Sequence, residues 1–294
     1  MFIAFLAAIV PVLIIAGLGA ILSRNTSYLD DPNLPQLVVN VGMPCLLLHS
    51  MLGNHIDFFG MGKLVLASAL ALLAMVIVSL IVLKLMGLKA RFYLPVLVNP
   101  NTGNLGIPIA YALLGNQGLA GAVIISSVIE ISHFTLGIGL MSGSYSPRRL
   151  LANPPIISLI IGAVILGLKI PVPHFLLQVF TMLGSIAVPI MLLMLGRSLA
   201  HMKVHEANWV RLSFLALYRP AIGLSMAWGA ALLLHLSPLH SANLMIAFCM
   251  PVAVLNYIFA TRYKGPVNDV AGLTFLTLPT AFLALIVIRL FILP

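Results

Sequence analysis

Ten apolar runs follow one another along this chain, at roughly 2–22, 34–53, 62–86, 92–115, 118–142, 154–170, 174–200, 209–234, 241–262 and 269–292. A run of about 20 apolar residues is long enough to cross a bilayer as a helix. In lipid a lone segment satisfies its backbone only by coiling into a helix. The runs therefore predict an all-α polytopic membrane protein of ten transmembrane helices. The loops are short, so one membrane domain is expected. Composition agrees: 62% of the 294 residues are hydrophobic and 7% are charged, against about 25% charged in soluble domains. The first run, from Met1 to Leu22, has no basic stretch before it and reads as a first helix rather than a cleaved signal.

The net charge is +9. No basic stripe is interleaved with aromatics, so nucleic acid is not an expected partner. The cations instead set orientation, because basic loops stay cytoplasmic. With the N-terminus outside, Arg24, Lys84, Lys89, Arg91, Arg148, Arg149, Arg197, Lys203, Arg211, Arg262 and Lys264 fall on inner loops or inner helix ends. Only Lys63, Lys169 and Arg289 fall on the outer ends, and Arg219 lies within a run. The expectation is a multi-pass protein of the cytoplasmic (inner) membrane with both termini outside. The two cysteines, Cys45 and Cys249, lie in apolar runs and read as small buried residues rather than a disulfide.

The fourth run is interrupted by Asn99-Pro100-Asn101-Thr102-Gly103-Asn104-Leu105-Gly106-Ile107-Pro108. Proline and glycine break helices, and bare backbone at membrane depth survives only inside protein or beside a cavity. The ninth run carries a second break, Cys249-Met250-Pro251-Val252-Ala253-Val254-Leu255-Asn256. Pro44 in run two and Pro189 in run seven also correspond. Matching breaks in two sets of five helices predict inverted repeats, 1–142 and 154–294, joined by a cytoplasmic link at 143–153. Helices four and nine would be broken and would cross at mid-membrane. Half-helix N-termini at such a crossing carry partial positive charge and free N–H groups. Asn101, Thr102, Gly103, Asn104 and Asn256 are the candidate substrate ligands. Pro100 and Pro251 enforce the breaks, and Pro44 and Pro189 would bend neighbouring helices of the moving domain. Such a site favours a carboxylate. The alternative for either proline is a simple kink.

Pro100-Asn101-Thr102 with Gly106-Ile107-Pro108 resembles the first crossover motif of the auxin efflux carrier family, the plant PIN-FORMED carriers and their bacterial relatives. Pro251 with Tyr257-Ile258-Phe259-Ala260 and Tyr263 resembles the second, and Asn153-Pro154-Pro155 is similar to the opening of the second repeat. The resemblance runs from Met1 to Pro294. It implies two inverted five-helix repeats forming a scaffold and a transport domain. It also implies movement of small organic anions, such as auxin in plants and dicarboxylates in some bacterial members. The long cytoplasmic loop of the plant carriers is reduced here to about Gly143 to Asn153, so its phosphorylation control does not carry over.

Glu130 is the one acid deep in an apolar run, with His133 a turn later. A proton held there would serve coupling; a polar tether between helices is the alternative. Arg219 could pair with Glu130, attract substrate, or snorkel to the inner face. His201 and His205 have i, i+4 spacing but no evident third ligand, so no metal is expected, and no cofactor. No nucleophile–base set points to an enzyme. The expected function is a secondary transporter of small organic anions, driven by protons or membrane potential. The alternatives are a sodium-coupled symporter and a non-transporting anion sensor. Expected partners are the anion, a proton, membrane lipids and, left open, a second copy in a homodimer.

Overall fold

A computed structural model describes residues 2–31, 33–52, 58–143, 154–201 and 208–291. Among these the structure is helical, apart from one isolated antiparallel bridge between Pro100 and Val252. The elements are α1 (Phe2–Asn25), α2 (Asn33–Leu37), α3 (Met43–Leu52), α4 (Phe58–Leu85), α5 (Ala90–Val98), α6 (Ile107–Ser132) and α7 (Ile138–Ser142). They continue with α8 (Pro154–Gly167), α9 (His174–Ser185), α10 (Ala187–His201), α11 (Trp209–Leu233), α12 (Pro238–Cys249), α13 (Val254–Arg262) and α14 (Val267–Phe291). Three π-helical turns, Val38–Gly42, Thr102–Gly106 and His133–Gly137, join α2 to α3, lead into α6 and join α6 to α7.

The apolar runs are thus not ten unbroken helices. Four stretches among the described residues are long and apolar enough to cross a membrane: Met61–Leu85, Thr102–Ser142, His174–His201 and Val267–Leu290. Thr102–Ser142 is itself two, because Gly115 has φ 66° and ψ −159° and breaks α6 at a kink. Only glycine takes that conformation without strain. Breaks also occur outside runs four and nine. Run two contains the π-turn before α3, and run seven is interrupted at Ile186 between α9 and α10.

Two of the π-turns have one cause. Pro44 follows Val38–Gly42, and Pro108 follows Thr102–Gly106, each two residues past the turn. A proline ring collides with the carbonyl four residues earlier, here that of Asn40 or Asn104. Widening the turn moves that carbonyl aside: the N–H of Met43 reaches Val38, and that of Ile107 reaches Thr102, both five residues back. The two sites share the pattern Asn-x-Gly-x-Pro, Asn40 to Pro44 and Asn104 to Pro108.

The 28 residues of α4 extend about 42 Å at 1.5 Å per residue. Leu64, Ala67, Ala71, Met75 and Leu83 are buried along one face, while Leu66, Leu73, Ile77 and Ile81 remain exposed on the other. A helix apolar on both faces, with one of them unpacked, suits a lipid surround.

The helices pack in two groups. One contains α1, the segment from α2 to α3, α8, α9 and α10; the other contains α4 to α7 and α11 to α14. Each group draws on both halves of the sequence. Pro44 and Pro189 lie in the first group and Pro100 and Pro251 in the second, although α10 also packs on the Thr102–Gly106 turn and touches α13. The expectation that they bend helices of the same domain as the breaks is therefore corrected. The reason is tertiary: α3 packs on α8 and α9, and α10 packs on α1.

Within the first group, α1 and α10 touch backbone to backbone. A Cβ on Gly196 would stand 1.8 Å from the carbonyl oxygen of Ala16, and one on Gly19 would stand 2.1 Å from that of Leu193. Small residues permit this approach. His201 Nε2 adds a hydrogen bond to the Ser23 carbonyl at 3.1 Å; His205 and Glu206 lie outside the described residues. Arg197 Nε donates to Asp30 Oδ1 at 3.1 Å, with the side chains 38% and 49% exposed. An exposed pair contributes little, so Asp30→Asn is expected to change stability by less than about 1 kcal/mol. Thermal unfolding in nanodiscs checks this.

Candidate functional site at two meeting helix breaks

Both breaks arise in the same way. The residue before a proline is pushed out of the helical region. Asn99 accordingly has φ −103° and ψ 96°, and α5 ends before it. Met250 has φ −56° and ψ 152°, and α12 ends before it. The two extended segments then meet. Asn101 N–H donates to the Pro251 carbonyl at 2.8 Å, and Val252 N–H donates to Thr277 Oγ1 on α14 at 3.0 Å. Asn256 Nδ2 donates to the Asn99 carbonyl at 3.3 Å. Ser132 Oγ donates to Asn99 Oδ1 at 2.7 Å, and Thr102 Oγ1 shares a hydrogen bond with Ser126 Oγ at 3.1 Å.

The structure thus brings Pro100, Asn101, Thr102, Pro251 and Asn256 together, but their side chains are committed differently. Asn256 and Thr102 are buried and already hold other parts of the protein. Among the described residues, the Asn101 and Asn104 side-chain amides have no hydrogen-bond partner. Asn101 is buried, and Asn104 and Gly103 are half-buried. Helix starts leave their first N–H groups without intrahelical partners, and here Thr102–Gly106 and α13 both start at the junction. The arrangement offers amide donors, two helix N-termini and no carboxylate among the residues that bond across it. That chemistry favours an anion.

Arg219 is fully buried on α11. Its Nη1 donates to the Phe248 carbonyl at 2.9 Å, near the end of α12. Nε and Nη2 have no partner. It neither snorkels nor pairs with Glu130; the ion pairs among the described residues are Arg197 with Asp30 and Arg211 with Asp269. A cation at a helix C-terminus opposes the negative end of its dipole. Gly223, one turn along α11, faces the same carbonyl: a Cβ there would stand 2.0 Å from it. Glu130 is half-buried on α6, with Oε2 buried and unpartnered. His133 opens the third π-turn, with Nε2 buried and unpartnered. The π-turn brings Gly137 against Asn99, whose Nδ2 is 3.4 Å from where a Gly137 Cβ would be.

At the N-terminal ends of α5, α11 and α14, Asp269 accepts from both Tyr93 and Arg211. Arg91 Nη2 donates to the Met141 carbonyl at 2.9 Å. A cavity of about 540 Å³ lies between the two helix groups. Pro11 of α1, His49 of α3, Tyr111 of α6, Thr181 of α9 and Pro189 of α10 reach it. Its wall is mostly apolar. Pro108, one turn beyond Asn104, lies at its edge, while Asn101 to Asn104 are not part of the wall.

A family model described as membrane transport protein matches residues 4–147 and 141–289. The chain belongs to this family. It is the auxin efflux carrier family that the Pro100 and Pro251 motifs resemble. An uncharacterized transporter of Methanocaldococcus jannaschii is 23% identical over 197 residues, covering 64% of this chain and 63% of that protein. The match therefore spans less than two thirds of that relative's length.

In this membrane transport protein, sequence reasoning passed over several polar residues now at the junction. Asn99 and Ser132 hold each other, and Ser126 holds Thr102. Thr277 receives the Val252 N–H. A signal was present: Thr274 and Thr277 share one face of run ten, as do Ser126 and Glu130 in run five, and polar residues in apolar helices usually face protein. Of the cavity residues, Thr181 and Ser185 share one face of run seven in the same way, while Tyr111 and Asn116, at the end of run four and just beyond it, carried no such signal. Of the Asn153-Pro154-Pro155 motif, Asn153 lies outside the described residues.

Proposed function

We propose that the chain is a secondary carrier of small organic anions, carboxylates above all, and not an enzyme. It works by alternating access in a ten-helix domain of two inverted five-helix repeats, 1–142 and 154–294. Both termini face outward from a cytoplasmic membrane. The observation that carries this reading is the junction itself: two helices broken before Pro100 and Pro251 and joined by the Asn101–Pro251 hydrogen bond of 2.8 Å. Broken helices with converging N-termini suit an anionic group at mid-membrane. The packing supports the repeats, since α1–α3 pair with α8–α10 and α4–α7 pair with α11–α14. Family membership supports transport, and the basic residues support the orientation.

Asn101 and Asn104 contact the substrate in this reading, with the N–H groups around Gly103. Asn256 and Thr102 hold the junction in shape. Glu130 is the proton-coupling candidate, because its buried Oε2 has no partner, and His133 stands beside it in the chain. Uptake of labelled carboxylates into proteoliposomes, with and without a pH gradient, tests the reading. Wild type is expected to accumulate substrate with the gradient. Glu130→Gln is expected to lose that response while retaining counterflow exchange, because it keeps the shape and removes the proton site. An unchanged gradient response removes Glu130 from the coupling. Absence of counterflow for every carboxylate in wild type defeats the carrier reading.

A further inference from the structure

The cavity between the helix groups is lined by one imidazole, His49, which meets a neighbouring hydroxyl. Thr181 Oγ1 donates its proton to the Leu177 carbonyl one turn back, at 2.8 Å. The same oxygen lies 2.9 Å from His49 Nδ1. A hydroxyl has one proton; with it on the Leu177 carbonyl, Thr181 accepts and His49 Nδ1 carries the hydrogen, the arrangement an imidazolium at this position requires. His49 Nε2 then holds a lone pair in the neutral ring and an N–H in the cation. Among the described residues it has no partner, and it is not one of the closed-off buried atoms.

The surroundings contain no competing charge among the described residues. Tyr111 is the other titratable side chain in the cavity wall. Of the elements around the cavity, α8 carries no titratable group, and α9 adds His174 in its first turn. Arg24 on α1, Glu130 on α6 and His201 on α10 lie two turns or more along their helices from the wall residues, and Arg197, five residues past Leu192 on α10, is paired with Asp30. Cys45 precedes His49 by one turn on α3. The rest of the wall is largely apolar, including Pro11, Val12 and Leu192.

We propose that His49, keyed by Thr181, forms an outer anion subsite that takes a carboxylate with an apolar body, one proton being bound with each anion. This deepens the carrier reading above and rests on it for the substrate class and, through the outward N-terminus, for placing His49 toward the outer side. Neutral His49, a carboxylate and a proton from solution give an imidazolium whose Nε2–H donates to the carboxylate. The Nδ1–H stays on Thr181, and no covalent bond changes. The apolar wall receives the body of the anion. The subsite lies in the helix group opposite the meeting breaks, so it captures the anion before the junction binds it.

Binding to the protein in nanodiscs tests this, with benzoate as probe and benzamide as its uncharged match, across about pH 5 to about pH 9. Wild type is expected to bind benzoate more weakly as pH rises, while benzamide binding stays flat. His49→Gln is expected to weaken benzoate at the acid end by about tenfold and to remove the slope, leaving benzamide unchanged. Thr181→Val is expected to shrink the difference between the two probes, and Thr181→Ser to preserve it. A His49→Gln slope equal to wild type overturns the subsite; if Asn101→Ala still impairs carboxylate uptake, the carrier reading stands. No benzoate binding by wild type at any pH overturns the subsite, and counterflow of other carboxylates then decides the carrier reading separately.

Discussion

Gly223→Ala is expected to lower carboxylate uptake by more than about a hundredfold, because a misplaced junction forfeits both orientation and binding. The new Cβ would stand 2.0 Å from the Phe248 carbonyl oxygen. That is a backbone atom, so α11 or the end of α12 must move. Overpacking of this kind costs about 1–3 kcal/mol. The same carbonyl accepts from Arg219 Nη1, and losing that bond leaves a buried guanidinium without a partner, a further cost of about 1–3 kcal/mol. The movement occurs two residues before Met250 and three before Pro251, whose carbonyl holds Asn101. Thermal unfolding in nanodiscs together with initial uptake rates measures both effects. Wild-type rates in Gly223→Ala would show that the end of α12 is free to shift, and that its position does not govern transport.

Asn101→Ala is expected to reduce uptake by roughly ten- to a hundredfold, the range for losing one or two hydrogen bonds to a charged group. Its unfolding temperature should match wild type. The two outcomes separate because the Asn101 side chain makes no hydrogen bond to any of the described residues. Removing it orphans nothing, and its backbone N–H still reaches Pro251. Asn256→Ala is the counterexample. Asn256 Nδ2 supports the Asn99 carbonyl, so its loss is expected to lower stability by about 1 kcal/mol as well as uptake. If Asn101→Ala transports normally, the site does not lie at the junction.

The breaks were legible in the sequence because proline acts locally. Pro100 and Pro251 each force the preceding residue out of the helix whatever surrounds it. Two of the three π-turns were equally written there, in the shared Asn-x-Gly-x-Pro of residues 40–44 and 104–108, although only the backbone geometry draws attention to it. Other features were not legible. The sequence left Arg219 free to pair with Glu130, to attract substrate or to reach the surface. A guanidinium can do any of these, and the choice depends on which carbonyl passes within reach. The grouping of Pro44 and Pro189 away from the breaks also depends on which helix faces meet.

The apolar runs, the helical class and the positions of both breaks follow from the chain alone, through hydrocarbon length and proline sterics. Tertiary structure decided how the polar side chains are spent. Asn256 and Thr102 look equivalent to Asn101 and Asn104 along the chain. In space the first pair already holds the Asn99 carbonyl and Ser126, while the second pair remains uncommitted. The cavity with His49 and Thr181 joins residues 132 positions apart. Such a pair is set by helix packing, for which neither run carries a local signal.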